Sequence, residues 1–154
     1  MKNFLPKCAA NPVLLMPHEV TADGLNALEE ALAQGLDEAM AATGVISMPV
    51  QPFGFEVRDA TGQFIGGVKG EIKNNWAYVA KLWVAPAARN QQAGTKLMAR
   101  VEALAKQHDL QGICLNTYTF QAPDFYQRLG YRIFGQLQNY PEGHNRIYLA
   151  KELK

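Results

Sequence analysis

Cysteine is scarce in this chain. The two that occur, Cys8 and Cys114, are far apart in sequence and lack the spacing of a zinc site or a disulfide framework. That predicts a reducing compartment, the cytoplasm, and no bound metal. Excess charge is missing as well: 15 Lys and Arg face 14 Asp and Glu, and the net charge of +1 gives no long-range field toward nucleic acid or an anionic membrane. No apolar run is long enough to span a bilayer, and Pro6, Lys7, Pro12 and Pro17 interrupt any stretch a signal peptide would need. His18 and His108 have no partner at metal or triad spacing.

What is present is a chain of 154 residues with 48% apolar and 19% charged side chains, enough to bury a core without metals or disulfides. One domain over residues 1–154 is expected, and its ligands must be held by a local site. No repeat, linker or low-complexity segment is visible.

Residues 11–16 read as a short strand. Asp23 then reads as the cap of a helix in which Leu25, Leu28, Leu32, Leu36 and Met40 share a face, with Gly44 as its stop and Gly35 as a point where it could break in two. Residues 45–52 read as a loop. Over residues 53–84 the pattern becomes an antiparallel meander, turning at Thr61 with Gly62 and again at Asn74 with Asn75. Gly66, Gly67 and Gly70 in its middle strand predict a bulge or a close approach of backbones. An amphipathic helix follows over residues 92–107, buried through Leu97, Val101, Leu104 and Ala105, and then a short apolar strand at residues 112–116. That order is a strand, helix, strand crossover. A helix opening near Pro123 and closing at Gly130 precedes strands near residues 131–136 and 145–151.

The segment KLWVAPAARNQQAGTKLM, residues 81–98, carries the chemistry. An apolar strand runs into a proline, an arginine and a small-residue turn that opens a helix. A helix start presents free N–H groups and the positive end of a dipole, so this order of parts builds a site for a phosphate. Arg89 adds a forked cationic donor, and Gly94 lets the backbone come close. A plain strand-to-helix turn without a ligand is the alternative reading. A Walker loop is excluded, because the glycine, lysine, hydroxyl run is missing. Further on, FYQRLGY, residues 125–131, places a phenol shortly before a helix ends at glycine.

These two segments resemble the GNAT superfamily of N-acetyltransferases, and the likeness covers residues 53–153 in order. The family pattern of Arg or Gln, two residues, Gly, one residue, then Gly or Ala is met by Arg89 and Gly94, while Gln92 replaces the first glycine. A backbone of ordinary helical conformation at Gln92 would still present its N–H. The resemblance implies an α/β fold whose mixed, mostly antiparallel sheet is flanked by helices and splayed at the CoA-binding strand. It implies acetyl-CoA as co-substrate, with the diphosphate on Arg89, Asn90, Gln91, Gln92, Ala93, Gly94 and Thr95 and the pantetheine arm along the backbone of Leu82, Trp83 and Val84. Backbone donors on that strand would also polarise the thioester carbonyl. Tyr126 matches the tyrosine that protonates the departing thiolate.

For a general base, Glu71 on the middle strand and His144 with Glu142 in YPEGHNR are the candidates, and water is the alternative. Lys81 stands where some relatives place a carboxylate. Cys114, within the apolar run ICL, reads as an inert core thiol. Tyr118, Phe120 and Tyr140 are candidates for an acceptor pocket, with walls from residues 45–52 and 137–146. The implied reaction is direct attack of a primary amine, on a small molecule or a peptide, on the thioester. The rival reading is a CoA-binding regulatory module without turnover. A homodimer is left open.

Overall fold

The computed structural model describes residues 17–154, so the strand expected at residues 11–16 and the environment of Cys8 lie outside the described residues. The chain divides into two compact units, Met1–Ile46 and Ser47–Lys154. In the first, a 3-10 turn at Ala22–Gly24 leads into α1, Leu25–Ala42. The cap is therefore Gly24 and not Asp23, and it makes no side-chain hydrogen bond. The Asp23 carboxyl bonds to the Thr21 side chain, which holds it below the usual carboxylate range. Gly35 does not break α1, which runs unbroken for 18 residues. Its penalty of about 1 kcal/mol is shared among good helix formers on both sides. Gly44, at φ +79°, ends the helix as expected, with the Val45 N–H donating to the Met40 carbonyl.

The second unit is built on six strands: β1 Gln51–Arg58, β2 Phe64–Lys73, β3 Trp76–Val84, β4 Gly112–Tyr118, β5 Arg132–Leu137 and β6 Arg146–Glu152. They lie in the order β1-β2-β3-β4-β6-β5, and every neighbouring pair is antiparallel except β3 with β4. The parallel step is the expected crossover through α2, Ala93–Gln107. The short helix α3, Pro123–Arg128, follows β4. Asn74 and Asn75 turn the β2–β3 hairpin with positive φ of 48° and 64°, the backbone that a two-residue hairpin demands.

Leu97, Met98, Val101 and Ala105 form the buried stripe of α2 and pack on Val68, Ala77, Val79, Ile113, Leu115 and Leu149 from the sheet. Each large apolar side chain buried this way stabilises the fold by about 1.5–3 kcal/mol. Leu104, expected on the same stripe, is only partly buried.

One irregularity positions everything that follows. Lys69 pairs with Lys81 and Gly70 with Val79, so Ala80 is an extra residue in β3. Glycine is needed opposite this bulge, since a Cβ on Gly70 would overlap the Tyr78 carbonyl and lie 2.7 Å from the Phe53 ring. β3 pairs with β4 only from Trp76 with Gly112 to Val79 with Leu115. Past the bulge the two strands separate, and, among the described residues, residues 80–84 have no strand partner on that side.

Candidate active site

The opening between β3 and β4 leads to a cleft of about 410 Å³ beneath the start of α2. Leu82 and Val84 supply one wall, Arg89, Asn90, Gln92, Ala93, Gly94 and Thr95 supply the floor, and Ala122, Phe125 and Arg128 close the far side. Eight of the ten residues assigned to the diphosphate and pantetheine therefore line one cleft. The other two turn away. Gln91 donates from Nε2 to the Ala87 carbonyl over 3.0 Å. The Trp83 ring stacks on Phe64 at 6.0 Å and borders a separate cleft of about 540 Å³ together with Lys69, Lys81 and Glu56.

The start of α2 has no side-chain cap, and its first turn contains no acidic residue. The N–H groups of residues 93–95 precede the first intrahelical donor, so they face the cleft with the positive end of the helix dipole behind them. Gln92 corrects the sequence expectation, because its backbone is left-handed at φ 61° and ψ 13° and not helical. The position keeps the conformation that glycine favours although a side chain is present, at a cost of about 1 kcal/mol. Asn90, two residues earlier, is also left-handed at φ 64°. The loop thus closes by two left-handed residues where the family pattern uses glycine once.

Gly94 bears on packing as well as on ligand approach. A Cβ there would stand 3.2 Å from the Phe125 ring, so this glycine admits the aromatic edge that forms the far wall. Arg89 lines the cleft with its Nε donating to the Val84 carbonyl over 3.2 Å, which fixes the guanidinium at the end of β3. Arg128 is a second cation at the same cleft that sequence reasoning missed. Its signal was available: Phe125 and Arg128 are three apart on α3 and so share a helix face.

The three catalytic candidates lie in different surroundings. The Tyr126 ring is buried, at 8% exposure, edge-on to Phe125 at 5.0 Å and to Tyr131 at 6.1 Å. Burial pushes its hydroxyl up to about 12, so it is a protonated donor at neutral pH. Its neighbour Phe125 lines the cleft, and Tyr126 lies behind that wall. Glu71 is exposed on β2 opposite Tyr78. His144 is exposed in the β5–β6 loop, edge-on to Phe120 at 4.9 Å. Among the described residues no hydrogen bond joins any two of these three.

A polar bridge across the sheet went unnoticed in the sequence. Asn116 Nδ2 donates to the Tyr78 hydroxyl over 2.7 Å, and Arg146 Nε donates to Asn116 Oδ1 over 2.9 Å. Cys114 is half-buried, and burial pushes its thiol up, which suits an inert side chain. Among the described residues no cluster of His, Cys, Asp and Glu is arranged to hold a metal ion, and no helix is long and apolar enough to cross a membrane.

Comparison with known proteins agrees with this architecture. The family model of the acetyltransferase (GNAT) domain matches residues 53–133. Blasticidin-S acetyltransferase from Streptomyces morookaense is 41% identical over 93 residues, which is 60% of this chain and 68% of that protein. The crystal structure of an acetyltransferase from Bacillus cereus ATCC 14579 is similar with a TM-score of 0.80 at 25% identity, covering 90% of this chain and 98% of that one. An acetyltransferase from Bacillus anthracis, solved in complex with acetyl coenzyme A, shares the fold at a TM-score of 0.61 and 24% identity, over 71% of this chain and 66% of the other. With a splayed β3–β4 pair, an uncapped helix start beneath it and a family match over 53–133, the chain belongs to the GNAT family of acetyltransferases.

Proposed function

We propose that residues 1–154 act as a single acetyltransferase domain that moves the acetyl group of acetyl-CoA to a primary amine by direct attack. The observation that carries this reading is the cleft at the splay, where a partnerless strand edge meets the free amides of an uncapped helix. A diphosphate fits residues 93–95, with Arg89 and Arg128 beside it. A pantetheine arm, which carries two amides, fits the edge of residues 82–84 as an added strand.

In the reaction the amine nitrogen forms a bond to the thioester carbon, and the oxygen gains negative charge. A backbone N–H on the free edge of β3 would stabilise that oxyanion. The carbon–sulfur bond then breaks, the thiolate takes a proton, and the amine nitrogen loses one. Tyr126 would supply the proton to sulfur, since burial keeps its phenol neutral. Tyr126 does not itself line the cleft, so for this role the sulfur would have to sit at the Phe125 side, within reach of the hydroxyl. Glu71 and His144 are both exposed to solvent, so a water passing the proton outward serves as well as either side chain. The 41% identity to an enzyme named for blasticidin S supports a small-molecule acceptor over a peptide.

The test is thiol release from acetyl-CoA by the purified chain against a library of primary amines. Release that depends on one class of amine is expected. No release with any amine, combined with no heat of CoA binding, would overturn the proposal.

A further inference from the structure

Three elements that are far apart in the sequence meet at one ammonium. Lys151 Nζ on β6 donates to Glu102 Oε1 on α2 over 2.9 Å and to the Leu129 carbonyl at the end of α3 over 2.8 Å. The ion pair is largely withdrawn from water, with 26% of the lysine and 19% of the glutamate side chain exposed. The other two ion pairs among the described residues, Arg58 with Glu56 and Lys154 with Asp109, are open to solvent on both sides. Open pairs contribute little, whereas breaking a withdrawn one strands a charge without its partner.

The lysine meets α3 where that helix needs a cation. With six residues α3 is too short to hold itself together, and its last carbonyls carry the negative end of the dipole. Its closing turn is built on Tyr126, whose carbonyl accepts from both the Leu129 and the Tyr131 N–H over 3.0 Å. Gly130 follows at φ 88°, and a Cβ there would stand 3.6 Å from Lys151 Cε, so the lysine stem lies along the turn. The ammonium also lies 5.7 Å from the Tyr131 ring centroid, and that ring is edge-on to Tyr126 at 6.1 Å. Lys151 therefore bears on Tyr126 twice, through the turn that carries it and through the ring it packs against. The Tyr126 hydroxyl has no hydrogen-bond partner of its own among the described residues, so the aim of the phenol depends on this support.

Glu102 supplies the fixed reference. α2 is continuous over Ala93–Gln107, and Glu102 lies on it about 12 Å beyond Gly94, which faces the cleft. The ion pair thus ties the turn under Tyr126 to the same rigid body whose first amides open on the cleft. Resting on the transferase reading above, we propose that Lys151 is a positioning residue for that reaction: bound to Glu102 and to the Leu129 carbonyl, it holds the Tyr126 phenol at a set distance from the start of α2. A cofactor gripped there by its diphosphate then brings its sulfur to a place already fixed relative to the phenol. Lys151 does not line the cleft, so its loss is felt in the chemical step and not in cofactor affinity.

The test uses the chain labelled with 3-fluorotyrosine, in which Tyr126→Phe identifies the Tyr126 fluorine resonance among those of six tyrosines. Lys151→Met keeps the apolar stem and removes the donor. It should shift or broaden that resonance, lower kcat for thiol release about tenfold with the fastest amine of the library, and leave the acetyl-CoA dissociation constant within about twofold by calorimetry. Lys151→Arg, which keeps a charged donor, should recover most of the rate. Glu102→Gln keeps an oxygen for the ammonium and stands in if Lys151→Met does not fold, with a smaller change in the same direction. In a Tyr126→Phe chain, Lys151→Met should lower kcat no further. The same kcat loss with and without the Tyr126 hydroxyl would mean general loosening and overturn the proposal, as would weaker acetyl-CoA binding at unchanged kcat. A Tyr126 resonance unmoved in both Lys151→Met and Glu102→Gln would overturn it whatever the rates. A resonance that moves, with undiminished kcat in Tyr126→Phe or no thiol release from any amine, would keep Lys151 as the support of the ring and remove the phenol or the transferase reading respectively.

Discussion

The Asn116 side-chain amide donates to the Tyr78 hydroxyl over 2.7 Å, joining β4 to β3 at the edge of the region where the two strands cease to pair. Backbone hydrogen bonds end there, and a side-chain bond takes over the task of keeping the strands at a set distance. Arg146 extends it to β6 by donating to the other end of the same amide. A splayed sheet has lost part of its ladder, so such a brace limits how far the cleft opens.

Removing the brace should therefore cost stability and loosen the cleft together. Asn116→Ala is expected to destabilise by about 1–2 kcal/mol, because it leaves both the tyrosine hydroxyl and the arginine short of a partner, and Tyr78→Phe by about 1 kcal/mol. A double-mutant cycle in urea should show that the two losses do not add. Full additivity would mean that the bond contributes nothing in solution.

Gln92 occupies a left-handed backbone at φ 61° with a side chain that makes no capping bond. Gln92→Gly should relieve the strain against Cβ while adding unfolded-state entropy, for a net gain of about 0.5 kcal/mol. The midpoint of urea unfolding should rise at unchanged slope, and acetyl-CoA should bind no more weakly. A lower midpoint would show that the glutamine side chain makes a stabilising contact of its own.

Gly94→Val brings a branched side chain against Phe125, whose ring would lie 3.2 Å from the first added carbon. Gly94 has no left-handed backbone, so the helix should persist while the far wall is pushed across the cleft. Acetyl-CoA affinity is expected to fall at least about tenfold, read by calorimetry. Phe125→Leu in the same chain should recover part of it. Unchanged affinity in Gly94→Val would put the diphosphate elsewhere.

Tyr126→Phe should lower kcat by about 100-fold or less, since the thiolate is already a fair leaving group, and leave the acetyl-CoA dissociation constant alone. The same substitution has a signature in alkali. The folded-state value of about 12 lies above the ordinary value of 10.0, so the folded chain holds this proton more tightly than the unfolded chain does. That contribution is fully present below about pH 10 and is lost as pH rises through about 12, amounting to about 2–3 kcal/mol. Burial raises Tyr131 in the same direction, so Tyr126→Phe should lessen the alkaline loss without abolishing it. Urea midpoints at pH 8 and pH 11 measure the difference, and an equal drop in both proteins would contradict it.

Local rules account for much of the fold. Asn74 with Asn75, Gly44, Gly130 and the α2 stripe of Leu97, Val101 and Ala105 each declared their element, because a turn or an amphipathic face is written in neighbouring residues. The corrections fall where local signals compete. Asp23 is a good capping residue, yet a 3-10 turn displaced the helix start to its neighbour. Gly35 weakens a helix, yet not enough to interrupt a long run of good formers. At Gln92 the chain needed a left-handed residue, and composition at a single position does not reveal which φ the loop imposes.

Over residues 17–154 the sequence by itself settled the order of strands and helices and the resemblance to an acetyltransferase, because each rests on residues close together along the chain. Only the tertiary structure decided that β6 lies between β4 and β5, that Arg128 joins the cleft, and that Tyr78, Asn116 and Arg146 form one bridge. The bridge joins residues 30 and 38 positions apart, and the closing of such long loops is governed by which faces bury together, which no local pattern encodes.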